Sequence, residues 1–214
     1  MKALFADRPF NEKYHLGAVN SINWARILAQ TVYYFLAYFH VRKQIPHPEN
    51  SKIQFVVPTG NFGDVLAGYY AKRMGLPMSK LVVATNSNDI LARFWRSGRY
   101  EQVDSTPTPT PDGGLGLGDG KSVDGGVQAT LSPAMDILVS SNFERLLWYL
   151  AYESSSNPAS DSARRASAGV TIDSWMKSVK TNGRVEVPVE VLELARQDFL
   201  AERVSDDQVC VLRA

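Results

Sequence analysis

The chain has 214 residues, the size of one large domain or two small ones. Its 23 Lys and Arg against 22 Asp and Glu leave a net charge of +1, which excludes a nucleic-acid binder working by phosphate neutralisation, and 44% hydrophobic residues exclude a wholly disordered chain. A single cysteine, Cys210, excludes an internal disulfide and any cysteine-built zinc cage.

In chain order, the start, Met1-Lys2-Ala3-Leu4-Phe5-Ala6-Asp7-Arg8-Pro9, lacks the long apolar core of a secretory signal. No apolar run approaches the roughly 18 residues of a membrane span, so a soluble, cytoplasmic protein without a membrane partner is expected. Asn20 and Ser21 are candidate caps for a helix from about Asn23 to Lys43. Its apolar residues widen to nearly all faces around Tyr33–Phe39, the mark of a buried helix or of one awaiting a partner surface. Pro46 and Pro48 stop it. Ile53–Val57 reads as a buried strand, Pro58–Gly63 as a turn cluster, and Asp64 opens a helix through Met74 with Gly75 as its C-cap. Leu81–Thr85 is a second strand. Strand, glycine loop, helix and strand occupy the length of a crossover unit, so the two strands should be parallel. Asp89 begins an amphipathic helix ending at Gly98.

Thr106–Gly126, with Pro107, Pro109, Pro111 and then seven glycines, reads as a flexible insertion. Ser154–Gly169, rich in Ser and Ala around Arg164-Arg165, reads as a second soft segment. Asp136–Tyr152 and Ile172–Lys180 look helical, Val185–Val187 is a short strand, and Pro188 starts a helix running through Leu192, Leu194, Phe199 and Leu200.

The sharpest chemical signal is Gly60-Asn61-Phe62-Gly63-Asp64. A glycine loop leaving a strand and entering a helix exposes backbone N–H groups and aims them, with the positive end of the helix dipole, at one point. That point lies beyond the carboxyl end of a strand, where open α/β sheets bind ligands. The pattern is neither a Walker loop nor the three-glycine dinucleotide fingerprint. Without more, the loop serves either phosphate binding or tight-turn geometry alone. Asn23 and Arg26, three residues apart at a helix start, could face one ligand, and Arg suits a phosphate; a capping Asn and a surface Arg are the plainer alternative. Asn86, Ser87 and Asn88 follow a strand end and serve either a ligand or the cap of the next helix. His15, His40 and His47 have no metal-ligand spacing, so no metal site is expected, and Ser132 and Ser141 lack a nucleophile-elbow context.

Four blocks in order carry a resemblance: Gly17-Ala18-Val19-Asn20-Ser21-Ile22-Asn23-Trp24-Ala25-Arg26, Val56-Val57-Pro58-Thr59-Gly60-Asn61-Phe62-Gly63-Asp64, Ala84-Thr85-Asn86-Ser87-Asn88-Asp89-Ile90, and Leu131-Ser132-Pro133-Ala134-Met135-Asp136-Ile137 continuing to Ser141-Asn142-Phe143-Glu144-Arg145-Leu146-Leu147. The chain resembles threonine synthases of the fungal and bacterial type over residues 1–205, taken as one incomplete α/β domain with insertions near 106–126 and 154–169 and a divergent tail at 206–214. The resemblance implies a partial tryptophan-synthase β-like domain (fold type II), a parallel sheet flanked by helices, with pyridoxal 5′-phosphate as cofactor. It further implies conversion of O-phosphohomoserine and water to threonine and phosphate. Gly60, Asn61, Phe62, Gly63 and Asp64 would hold the cofactor's 5′-phosphate; the substrate then becomes the ligand that the spacing of Asn23 and Arg26 leaves open, with the capping Asn and surface Arg as the alternative. None of the nine lysines lies in the family's Phe-Lys-Asp-type context, and neither the second glycine loop nor the Asp-Pro-His-Thr-type segment occurs. The expectation is a central portion of the enzyme that carries the phosphate cradle without the Schiff-base lysine, inactive alone. The alternative is a non-catalytic phosphate- or cofactor-binding module, or a truncated relative pairing with a full-length one.

Overall fold

The structure, a computed structural model, describes residues 6–17, 20–46, 51–102, 122–123, 126–155 and 160–211. Most of the Pro/Gly-rich stretch, and His47, lie outside them. Helix α1 (Arg8–Tyr14) is capped by Asp7, whose carboxylate accepts from the Phe10 N–H. Helix α2 (Trp24–Arg42) is capped by Asn23 rather than by Asn20 or Ser21: the Asn23 side-chain oxygen accepts from the Ala25 N–H at 3.0 Å, while Asn20 turns back to the Ile22 N–H. Strand β1 (Val56–Pro58), helix α3 (Gly63–Arg73) and strand β2 (Leu81–Thr85) form the expected crossover unit. Their strands pair in parallel with Val57 opposite Val83. Gly75, at φ +100, follows α3 where the chain must turn left-handed.

Helix α4 (Ile90–Ser97) ends at Gly98, which is left-handed. It leads to β3 (Arg99–Glu101), with the short pair β4 (Ser122–Val123) and β5 (Val127–Gln128) beyond. Helix α5 (Phe143–Ser154) starts later than the periodicity predicts, because residues 136–142 serve as tertiary ligands for other loops. Helix α6 (Asp161–Asn182) overturns the reading of 154–169 as soft from residue 161 onward. Ser160 caps it through the Ala163 N–H, and Arg165 pairs with Asp161 at 2.8 Å, one turn away. Its alanines are strong helix formers, so low hydrophobicity here marks an exposed helix and not a loop.

Strand β6 (Arg184–Glu186) pairs antiparallel with β3, and α7 (Val189–Asp198) follows. Phe199 and Leu200 do not continue α7. They open β7 (Phe199–Arg203), which lies parallel to β2 with Leu81 opposite Phe199. A short apolar run has no periodicity of its own to separate strand from helix; here pairing along the free edge of β2 decides it. The parallel sheet therefore has the order β1-β2-β7. The segment assigned to a divergent tail includes α8 (Asp206–Val211), and Asp206 accepts from the Leu131 N–H. Among the described residues no helix is long and apolar enough to cross a membrane.

The core gathers at the glycine-loop end of the sheet. Phe62, Phe94, Trp95, Phe143 and Phe199, all buried, bring side chains from the loop, α4, α5 and β7 together. Phe143 sits 4.8 Å from Phe94 and 5.3 Å from Phe62, ring centre to ring centre, mostly edge to face. Midway along α3, Gly68 lets α2 approach closely: a Cβ there would stand 2.6 Å from the Tyr34 ring.

Candidate functional site

The loop between β1 and α3 is set by its neighbours. Thr59 N–H donates to Ala84 O at 2.8 Å, tying the end of β1 to β2. Gly60 and Gly63 have ordinary negative φ; the left-handed residue is Phe62, at φ 62. A non-glycine residue stays in that region only when something holds it. Here the holding contact is the ring of Phe62, 1% exposed and locked in the aromatic core. Gly60 is required for a different reason than anion access: a Cβ would come to 3.0 Å from Met135 Cα and 3.2 Å from Ala134 O, in the 3-10 turn Pro133–Met135. Gly63, the first residue of α3, has more room, with Asn142 Nδ2 at 3.5 Å from a built Cβ.

Asn142, fully buried and at the start of α5, is the hub of the site. Its Nδ2 donates to Asn61 O at 2.9 Å and to Ser21 O at 2.8 Å, its backbone N–H also donates to Asn61 O, and its Oδ1 accepts from Arg145. Arg145 in turn donates to Ile22 O at 2.7 Å, and Ser141 Oγ donates to Asn61 Oδ1 at 3.1 Å. Three segments far apart in sequence, around residues 21, 61 and 142, are thus bound into one frame. A second frame holds the turn above Gly60. Asp136 Oδ1 accepts from Asn86 Nδ2 at 2.7 Å, from Asn88 Nδ2 at 3.0 Å and from Thr130 Oγ1 at 2.7 Å. Asn86 and Asn88 thus carry the 128–136 segment, and neither side chain caps α4.

Between the frames lies a cavity of about 290 Å³ lined by Ser21, Arg26, Gln30, Gly60, Gly63 and Asp64 among others. The first intrahelical bond of α3 runs from Leu66 N–H to Phe62 O, so the amides of Gly63, Asp64 and Val65 precede the helical ladder at the positive end of the dipole. Arg26 and Gln30 are one turn apart on α2. The structure thus brings the whole predicted loop together with Arg26. Asn23 it does not: that side chain caps α2. The wall residue Gln30 and the buried Asn142 behind the loop were not singled out from sequence, since only the folded chain brings them beside the loop. Asp64 retains solvent access; partial burial raises its carboxyl pKa and the Tyr34 hydroxyl opposes the rise. Among the described residues, no lysine lines this cavity and no group of three or more His, Cys, Asp and Glu could hold a metal ion. The donor set, one guanidinium, a side-chain amide, a hydroxyl and first-turn N–H groups, fits a phosphate monoester.

No protein-family model matches the chain. Threonine synthase of Schizosaccharomyces pombe is 52% identical over 210 residues, 97% of this chain and 37% of that protein. The crystal structure of yeast threonine synthase superposes with a TM-score of 0.77 at 48% identity, covering 96% of this chain and 34% of that one. The PLP-bound threonine synthase of Brucella melitensis superposes with a TM-score of 0.72 at 38% identity, covering 97% of this chain and 36% of that one. The chain spans about a third of the length of these relatives, and by sequence and by its fold type II architecture it belongs to the threonine synthase family.

Proposed function

We propose that the loop Gly60–Asp64 holds the 5′-phosphate of pyridoxal 5′-phosphate in the cytoplasmic threonine synthase reaction, O-phosphohomoserine and water to threonine and phosphate. The observation that supports this reading is the shared cavity: Arg26 on α2 and Gly60–Asp64 at the start of α3 line one space of about 290 Å³. When bound, the cofactor supplies the electron sink for a β,γ-replacement at the amino acid. The amides of Gly63, Asp64 and Val65 fix the cofactor's anionic end, Asn142 keeps the loop in place, and Arg26 is the cation for the phosphate of O-phosphohomoserine.

No lysine is among the described residues lining the cavity. That favours a chain which binds cofactor reversibly and does not turn over substrate alone. Equilibrium dialysis tests the cradle: pyridoxal 5′-phosphate should bind at least about 10-fold tighter than pyridoxal, one charge-assisted contact's worth, and Gly63→Val should abolish the difference. Equal binding of the two compounds would refute the cradle. Arg26→Ala should weaken O-phosphohomoserine binding roughly 10-fold and leave pyridoxal phosphate nearly unaffected. Borohydride treatment of the mixture should leave no adduct on one lysine peptide, and phosphate release from O-phosphohomoserine should stay at the Gly63→Val background. A single mapped adduct with turnover would overturn the non-catalytic assignment.

A further inference from the structure

Helix α6 opens with a motif that the glycine-loop chemistry leaves unused, Arg164-Arg165-Ala166-Ser167, in which two guanidiniums precede a serine. Ser167 is exposed, and its hydroxyl makes no hydrogen bond with any described residue. A helical serine or threonine often bonds back to a carbonyl one turn earlier, as Thr181 does to Lys177 O in the same helix. Three and four positions from Ser167 stand Ala163, Arg164, Val170 and Thr171, one cation and no acid. A dianion at Ser167 would therefore meet no like charge along its face of the helix.

The segment around the serine is thinly anchored. From Asp161 to Val170 only Ala168 is buried and only Arg164 half-buried. The Ser160 cap reaches the Ala163 N–H at 3.4 Å, long for such a bond. Tyr152 of α5 supplies a second hold. Its hydroxyl donates to Asp161, while Arg164 lies over its ring at 4.4 Å and donates to its carbonyl at 3.0 Å. The buried Arg164 Nε has no partner among the described residues, and the Arg165 side chain is 65% exposed. Gly169 weakens this stretch further as a helix. Segments with so few buried apolar contacts open locally at little cost.

We propose that Ser167 is a phosphorylation site for an arginine-directed serine kinase. Carboxylates of the kinase pair with Arg164 and Arg165, and residues 162–169 leave the helix to lie extended in its groove. Ser167 Oγ attacks the γ-phosphorus of a nucleoside triphosphate and its proton passes to a kinase carboxylate. The bond to the nucleoside diphosphate breaks, and its electron pair leaves on the diphosphate. When the helix re-forms, the phosphate stands one turn from Arg164 and pairs with it. None of this depends on whether the glycine loop binds a phosphate.

The test incubates the whole chain with magnesium ATP and the catalytic subunit of cyclic-AMP-dependent protein kinase, then reads intact mass and maps the modified peptide. One phosphoryl group should map to Ser167, and Ser167→Ala should remove it. Arg165→Ala, a change at an exposed ion pair, should slow incorporation at least about 10-fold and leave the thermal melt in place. Gly169→Ala, which stiffens the helix, should slow it about 2–5-fold. A phosphate that maps elsewhere, or that survives Ser167→Ala, would overturn the inference. So would a folded chain that takes no phosphate, with a synthetic peptide of residues 160–171 showing whether the motif or the helix withholds the serine.

Discussion

Asn142 ties together three segments that the sequence keeps about 40 and 80 residues apart, around Ser21, Asn61 and its own position. Removing its amide leaves two carbonyls and the Arg145 guanidinium without that partner in a buried place. Asn142→Ala should therefore cost about 2–4 kcal/mol in chemical denaturation and weaken pyridoxal phosphate binding, while unchanged stability would contradict the role. Tyr100, 1% exposed, accepts from the Ser140 N–H at 2.7 Å, and burial pushes its phenol up to about 12 from 10.0. A pKa raised on folding favours the protonated form in the native state. The stability this phenol contributes is thus complete below pH 10 and is lost as pH climbs from there through about 12, roughly 2–3 kcal/mol in all. Burial shifts Tyr34 and Tyr70 in the same direction. Denaturation followed from pH 9 to 12 should show this fall, and Tyr100→Phe should make it shallower; a flat profile would refute it. At this scale the glycine loop was legible because Gly and Asp mark a β–α junction in sequence. Phe62's left-handed backbone and Asn142's bonds were not, since both are imposed by contacts from distant elements.

Two glycines inside helices separate packing from propensity. Gly68 faces the Tyr34 ring, and a Cβ would stand 2.6 Å away; Gly169, in α6, has nothing within 4 Å. Gly68→Ala should cost about 1–3 kcal/mol through overpacking of α2 against α3. Gly169→Ala should instead stabilise by about 0.5–1 kcal/mol through helix propensity. Thermal melts of the two variants read this directly, and shifts of the same sign would show that the α2–α3 contact is not tight. Elements with a single strong signal, β2 and α4, were read from sequence with their bounds nearly intact. The misread ones were decided elsewhere in the fold. The first turns of α6 have almost no apolar face to detect, and β7 exists because β2 offers it an edge.

Over the whole molecule, the parallel sheet, the crossover and the aromatic core beneath the loop serve to hold one short loop against α2 and the 133–135 turn. The apolar side of α2 was visible in the sequence as hydrophobicity on nearly all faces, but which side stays uncovered required the packing. The central claim is that the loop entering α3 receives a phosphate. Amide chemical-shift mapping on the isotope-labelled chain tests it most directly, with pyridoxal 5′-phosphate, pyridoxal and inorganic phosphate titrated separately. The account predicts that the amides of Gly60–Val65 shift with both phosphate-bearing ligands and stay still with pyridoxal. Shifts that cluster elsewhere, or that pyridoxal reproduces in full, would contradict it.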